Sequence, residues 1–309
     1  MNEPIPFIVG CGRSGTTLLR SILDSHPDMA IPGENDFLLS EFKHGTPFTR
    51  GEPVALAQID AWLEQYPTLR STLAVSPEDA PEQLTLPEWF QRSYRAYAAR
   101  FGKTRFGDKT PGLVHSVKAL AAAIPDAVFI HLIRDGRDVA EAFVAQDWGP
   151  RTIGEAARTW QRHVSAGRAG ALRLPHHRYL ELRYEDLVAD VEASVRQVCG
   201  FLALEYDPVM LEFQESAARA RSLTRFPEAH RRLDRALTPG LRDWRRDMSL
   251  ARRLRFEAVG GGLLEACGYD PPLSQVVRRR LRNSPPAKWT RKLVRRKRSR
   301  APERLPGDR

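Results

Sequence analysis

Near the start of the chain Arg13, Ser14, Thr16 and Thr17 stand among three glycines, Gly10, Gly12 and Gly15. A guanidinium, hydroxyl donors and backbone that can approach a ligand closely are what a phosphate or sulfate group needs. Glu34 follows the turn Pro32-Gly33, which frees its carboxylate to face a cleft and accept a proton. Farther along, Lys109 in the stretch DKTP puts a cation at the end of a short strand. Arg134, the first residue of RDGRD, is a side chain that reaches phosphate with two parallel hydrogen bonds. Two histidines, His115 and His131, compete with Glu34 as bases; His131 lies inside an apolar run and reads as a core residue.

These residues need a scaffold, and the hydrophobic pattern supplies one. Phe7, Ile8 and Val9 read as a buried strand, while Leu18, Leu19, Ile22 and Leu23 recur at helical spacing. The turn Gly10–Gly15 therefore joins a strand to a helix, whose first N–H groups and dipole face the turn. The segment AVFIHLI (127–133) is apolar without alternation, as in a strand buried on both faces, and helical patterns precede and follow it. Such an order gives an α/β fold with a central parallel sheet and helices on both faces. RFGDKTP supplies a further short strand before a helix GLVHSVKALAAAI, and RYLELRYEDLV another before DVEASVRQVCGFLAL, a helix ending near Gly200. A long helix is expected over 153–172. In open parallel sheets ligands bind beyond the carboxyl ends of the strands, where Arg13 and Arg134 both fall. Residues 35–102, with helical patterns at 54–65 and 88–101, read as a helical insertion over the cleft, placed to choose an acceptor. The triplet Gly260–Gly262 inside a helical pattern has no rationale at this level.

Length and composition narrow the class. A chain of 309 residues with 42% hydrophobic content can bury a full core. Its net charge of +10 comes from one end: residues 278–309 hold 14 Lys or Arg against Glu303 and Asp308, leaving about −2 for residues 1–277. The expected division is thus a domain over 1–277 and a basic tail over 278–309, and the body is no nucleic-acid binder. Within the tail KWTRKLVRRKR interleaves Trp289, Leu293 and Val294 with cations, a pattern shared by solvated tails and by segments that attach to an anionic membrane surface. Cys11, Cys199 and Cys267 are too scattered for a disulfide framework or a zinc site, so no metal is expected. Together with an N-terminus that lacks a basic, apolar leader, they suit a cytoplasmic protein, with peripheral membrane contact through the tail.

The glycine loop itself admits several readings. Gly10 to Gly15 has Walker A spacing, but Thr16 stands where the phosphate-binding lysine belongs. Gly10-x-Gly12-x-x-Gly15 also satisfies the dinucleotide fingerprint, with Glu34 at a ribose-holding distance, which would make the protein an NAD(P)-dependent oxidoreductase. That reading leaves Lys109, Arg134 and Arg137 without a task. A non-catalytic binder of anionic surfaces would explain the tail alone.

RSGTTLLRSILDSHPDM, with a strand before it and P-x-E after it, resembles the 5′-phosphosulfate loop of the sulfotransferases, although that family usually has proline where Gly12 stands. HLIRDGRDVAEAF resembles the family's 3′-phosphate segment, DKTP its lysine motif, and RYEDL its tyrosine segment; the likeness spans about residues 5–271. The resemblance implies a P-loop-like fold and 3′-phosphoadenosine-5′-phosphosulfate as co-substrate. It implies that Gly12, Arg13, Ser14, Gly15, Thr16 and Thr17 hold the 5′ end, Arg134 the 3′-phosphate, and Tyr184 the adenine side. Arg242 would be a second 3′-phosphate ligand. Glu34 would act as base and Lys109 at the leaving oxygen, toward an acceptor hydroxyl on a sugar, lipid headgroup, peptide or small natural product. A serine common in the family eight residues after the arginine is here Ala142, which puts one phosphate contact in doubt.

Overall fold

The computed structural model describes residues 3–73, 81–222 and 243–276; Arg242 and the basic tail lie outside these. Eight strands occur among them: β1 (Ile5–Gly10), β2 (Met29–Ala30), β3 (Val54–Ala55), β4 (Gln83–Leu84), β5 (Arg105–Phe106), β6 (Asp108–Lys109), β7 (Ala127–Ile133) and β8 (Tyr179–Arg183). The central sheet is wholly parallel in the order β6-β1-β7-β8, with Ile8 opposite Lys109 and Gly10 opposite Leu132. All four strands therefore end at one edge, and the residues that follow them converge there.

Along the chain the helices are α1 (Thr16–Asp24), α2 (Asp36–His44), α3 (Leu56–Leu63), α4 (Pro67–Leu73), α5 (Leu86–Ala99) and α6 (Val117–Ala123). Then come α7 (Gly136–Val144), α8 (Ile153–Ala171), α9 (Tyr184–Ala189), α10 (Val191–Phe201), α11 (Gln214–Ser222), α12 (Trp244–Asp247) and α13 (Leu250–Ala266). The chain divides into two compact units, Met1–Gly260 and Gly261–Arg309. The larger holds the whole sheet. In the smaller, Leu264, Cys267 and Tyr269 are buried.

Strands buried on both faces follow directly from their unbroken apolar sequences. On β1, Phe7 and Val9 enter one core and Ile8 the other; on β7, Phe129 enters the first and Val128, Ile130 and Leu132 the second. α1 and α10 close the second core with Leu19, Ile22, Val195 and Val198. The first core belongs as much to residues 35–102 as to the sheet. Phe7 stacks on Phe90 of α5 at 5.2 Å and Phe90 on Tyr94 at 3.9 Å, and Phe37, Phe48 and Trp89 join them. Burying each such side chain contributes about 1.5–3 kcal/mol.

Local outcomes differ from the pattern in four places. RFGDKTP is not one strand: β5 pairs with β2 and β6 with β1, and the break falls at Gly107, where a Cβ would lie 2.6 Å from Pro6 Cγ. The helix expected from Gly112 begins as a 3-10 turn over Pro111–Ser116 and becomes α-helical only at Val117. Residues 54–55 pair with 83–84 before α3 starts, and α4 lies between the two expected helices. Gly260 gains a reason, since a Cβ there would meet the Phe256 ring at 2.9 Å and the Trp160 ring at 3.4 Å. No helix among the described residues is long and apolar enough to cross a membrane.

Candidate active site

β1 ends at Gly10, with φ 151°, where a Cβ would lie 2.5 Å from the Leu132 carbonyl oxygen on the neighbouring strand. Arg13 then takes φ 68°, a left-handed conformation that costs a non-glycine residue about 1–2 kcal/mol. Gly15, at φ 96°, caps α1, and no side chain among the described residues accepts from the first turn of that helix. The N–H groups of Thr16 and Thr17 thus begin a helix whose end is left for an anion. Two further donors are in the same state: Ser14 Oγ and Arg134 Nε are buried and have no hydrogen-bond partner among the described residues. A buried donor without a partner costs about 1–3 kcal/mol, so a bound anionic group would relieve it. These residues fit a phosphosulfate.

The turn after β7 is built otherwise. Asp135 caps α7 by accepting from the Arg137 backbone N–H at 2.9 Å, and its carboxylate also takes the Arg137 guanidinium at 2.7 and 3.0 Å. Arg137 is fully buried; it also reaches Glu257 at 3.2 Å and stacks on Trp244 at 3.6 Å. It is a structural ion pair, sealed inside the fold. Arg134 instead points along the edge: its Nη1 donates to the Arg13 carbonyl oxygen at 3.4 Å, and its guanidinium lies 4.4 Å over the Tyr184 ring. Tyr184 in turn fills the space above Gly15, where a Cβ would come within 2.4 Å of the ring. The two arginine-bearing turns and Tyr184 are therefore one surface. Asp138, one turn along α7, is pushed up to about 7 by burial, against the pull of the Arg134 charge. Ala142 is buried on the same helix.

Lys109 joins this cradle to the other side of the edge. Almost wholly buried, it donates to Glu34 Oε1 at 2.5 Å and to Thr17 Oγ1 at 3.4 Å. Glu34 lies in the connection from β2 to α2 and is about one third exposed (36%), into a cleft of about 580 Å³. Leu39, Ser40 and Lys43 of α2 line it on one side, and Tyr66, Thr68 and Thr72, in and before α4, on the other.

A buried polar cluster that sequence reading missed supports this pair. Tyr94 donates to Asp108 Oδ2 at 2.6 Å, Asn35 Nδ2 donates to the Tyr94 oxygen at 2.9 Å, and the Asn35 backbone N–H donates to Thr110 Oγ1 at 2.7 Å. Asn35 Oδ1 also caps α2 by accepting from Leu38 N–H at 2.9 Å. Burial pushes the Asp108 carboxyl up to about 6, while the Tyr94 and Thr110 hydroxyls and the Lys109 charge pull it down. Burial and Asp108 together raise Tyr94, so its hydroxyl stays a donor.

The alternative bases lie elsewhere. His131 is buried in β7 with Nδ1 at 2.5 Å from the Tyr179 hydroxyl, and burial holds it down to about 4. His115 sits in the 3-10 turn with its ring 4.5 Å from that of His163, and burial and Arg162 lower its pKa. The Cys11 thiol is pushed up by burial rather than lowered by the adjacent helix, so its role is packing. Among the described residues no cluster of His, Cys, Asp and Glu could hold a metal ion.

A model of the sulfotransferase family matches residues 4–208. Protein-tyrosine sulfotransferase 1 of Danio rerio is 25% identical over 279 residues, covering 87% of this chain and 73% of its own length. Nodulation protein NoeE of Sinorhizobium fredii is 26% identical over 298 residues, covering 88% and 68%. Among solved structures, the sulfotransferase domain of the Synechococcus PCC 7002 olefin synthase superposes with a TM-score of 0.60 at 23% identity, covering 87% of this chain and 96% of that one. The corresponding domain of the curacin biosynthetic pathway gives 0.59 at 19%, covering 88% and 99%. These likenesses support the P-loop-like α/β fold, and the nicotinamide reading of the glycine spacing is set aside.

Proposed function

This chain belongs to the sulfotransferase family and transfers sulfuryl groups, and we propose that its donor is 3′-phosphoadenosine-5′-phosphosulfate and its base Glu34. The contact that carries this reading is Lys109 Nζ, 2.5 Å from Glu34 Oε1 and 3.4 Å from Thr17 Oγ1. One ammonium thus spans the boundary between the anion cradle and the cleft. The backbone of residues 12–17, with Arg13, Ser14, Thr16 and Thr17, holds the 5′ end of the donor; Arg134 takes the 3′-phosphate and Tyr184 lies beside the adenosine.

The acceptor enters the cleft with its hydroxyl at Glu34. As the acceptor oxygen bonds to sulfur and the bond from sulfur to the 5′-phosphate oxygen breaks, Glu34 takes the proton. Lys109 balances charge growing on the departing oxygen. Positioning and preorganised charge supply most of the rate, as in phosphoryl transfer. The acceptor is a hydroxyl compound of a size that suits the cleft. Glu34→Gln keeps the shape and removes the proton acceptor. Its single-turnover rate should fall by roughly 10²–10⁴, with affinity for adenosine 3′,5′-bisphosphate by calorimetry unchanged. Near-normal turnover in that variant would remove Glu34 as the base.

A further inference from the structure

Glu34 and Lys109 come from different parts of the chain, yet each has an immediate neighbour in the same buried cluster. Asn35 follows Glu34; Asp108 and Thr110 flank Lys109. Tyr94, from the middle of α5, ties the two sides together, accepting from Asn35 Nδ2 at 2.9 Å and donating to Asp108 Oδ2 at 2.6 Å. Thr110 closes the loop by accepting from the Asn35 backbone N–H at 2.7 Å. Asn35, Tyr94, Asp108 and Thr110 are all almost fully buried, which makes each missing partner costly. We propose that Tyr94 is a positioning residue for sulfuryl transfer: through Asn35 and Asp108 it fixes the Glu34 backbone and the Lys109 backbone as one rigid unit. The proposal rests on the roles given above to Glu34 and Lys109.

The cluster has features that packing alone does not demand. Tyr94 stacks on Phe90 in an aromatic core where a phenylalanine would fill the same space. Its hydroxyl instead keeps a carboxylate, Asp108, inside that core at the cost of desolvation. The return is geometric. Asp108 is locked by β6 pairing opposite Phe7, so Tyr94 and Asn35 are referenced to the central sheet, not to the insertion that carries them. Reacting groups misplaced by about 1 Å lose about 10²-fold in rate, the scale on which a positioning residue acts.

The test compares rate with donor affinity. Tyr94→Phe and, independently, the near-isosteric Thr110→Val should each lower the single-turnover rate by roughly ten- to a hundredfold. Affinity for adenosine 3′,5′-bisphosphate should stay within about threefold, because neither hydroxyl touches the anion cradle. Thr110→Ser, which restores the hydroxyl, should recover the rate. A Tyr94→Phe rate within about twofold of the unsubstituted protein, or a Thr110→Ser variant as slow as Thr110→Val, overturns the proposal. Glu34→Gln separates the two claims. If it turns over normally while Tyr94→Phe is slow, the base assignment fails and the positioning role stands through Lys109. If it is slow while Tyr94→Phe is not, the base stands and the positioning role fails.

Discussion

β1 and β7 are neighbours in the sheet, both end in a tight turn, and both turns open a helix with an arginine beside it, yet they treat that helix end in opposite ways. After β1, Gly15 caps α1 without a side chain, so the first N–H groups remain for a ligand. After β7, Asp135 closes α7 with its own carboxylate and takes Arg137 as counter-ion. The difference is one of charge supply. A helix end that will receive an anion keeps its donors open; one that only anchors the fold supplies its own acceptor. Arg134 stands between the two, carried by the closed turn but facing the open one.

The closed turn is the more costly of the two to damage. Asp135→Ala deletes the cap and strips Arg137 of its bidentate partner inside the fold, and denaturant unfolding should show a loss of about 3–5 kcal/mol. Bisphosphate affinity of the folded fraction should change by less than about threefold; a loss as large as that from Arg134→Ala would mean the two turns are not independent. Arg134→Ala should do the reverse. Losing a charge-assisted contact worth roughly 1.5–3 kcal/mol weakens bisphosphate binding by about ten- to a hundredfold and abolishes its preference over 5′-AMP, while stability shifts by about 1 kcal/mol or less. An Arg134→Ala variant that still distinguishes the two nucleotides would take the 3′-phosphate away from this residue. On α7 the effect is slight. Ala142→Ser restores the hydroxyl that the family commonly carries eight residues after the arginine, so bisphosphate affinity should stay level or tighten by about threefold at most. A marked loss would mean that residue 142 does not face the 3′-phosphate side.

What could be read from the sequence was whatever is encoded within a few consecutive residues. The apolar run 7–9, the glycines at 10, 12 and 15 and the helical repeat from Leu18 stand together, so strand, turn and helix were legible as one unit. The strand ends carrying Lys109 and Arg134 followed from the parallel sheet, since its loops share an edge. Arg134 is readable from its place at a strand end; that Arg137 is instead sealed in an internal ion pair depends on Asp135, Glu257 and Trp244, and Glu257 is 120 residues away. Tyr94 and Asn35 were illegible for the same reason. In sequence one is an apolar-face residue of α5 and the other a helix cap; their meeting depends on contacts 59 residues apart. The 3-10 turn at Pro111–Ser116 and the break at Gly107 were likewise set by neighbours in space, not by local preference.

The described part of residues 35–102 shares a single hydrophobic core with β1 and β7, and on the proposed reading of the cleft that limits how the acceptor side can change over evolutionary time or in the laboratory. A segment that merely covered a cleft could be exchanged whole. Here Phe37, Phe48, Trp89, Phe90 and Tyr94 are part of what keeps the sheet dry, so transplanting the segment would unseat Phe7 and Phe129 as well. If the acceptor enters this cleft as proposed, new preferences arise by replacing side chains on its wall, such as Ser40, Lys43, Tyr66 and Thr68, one at a time over a fixed foundation. A wall rooted in the core leaves only its exposed side chains free to vary.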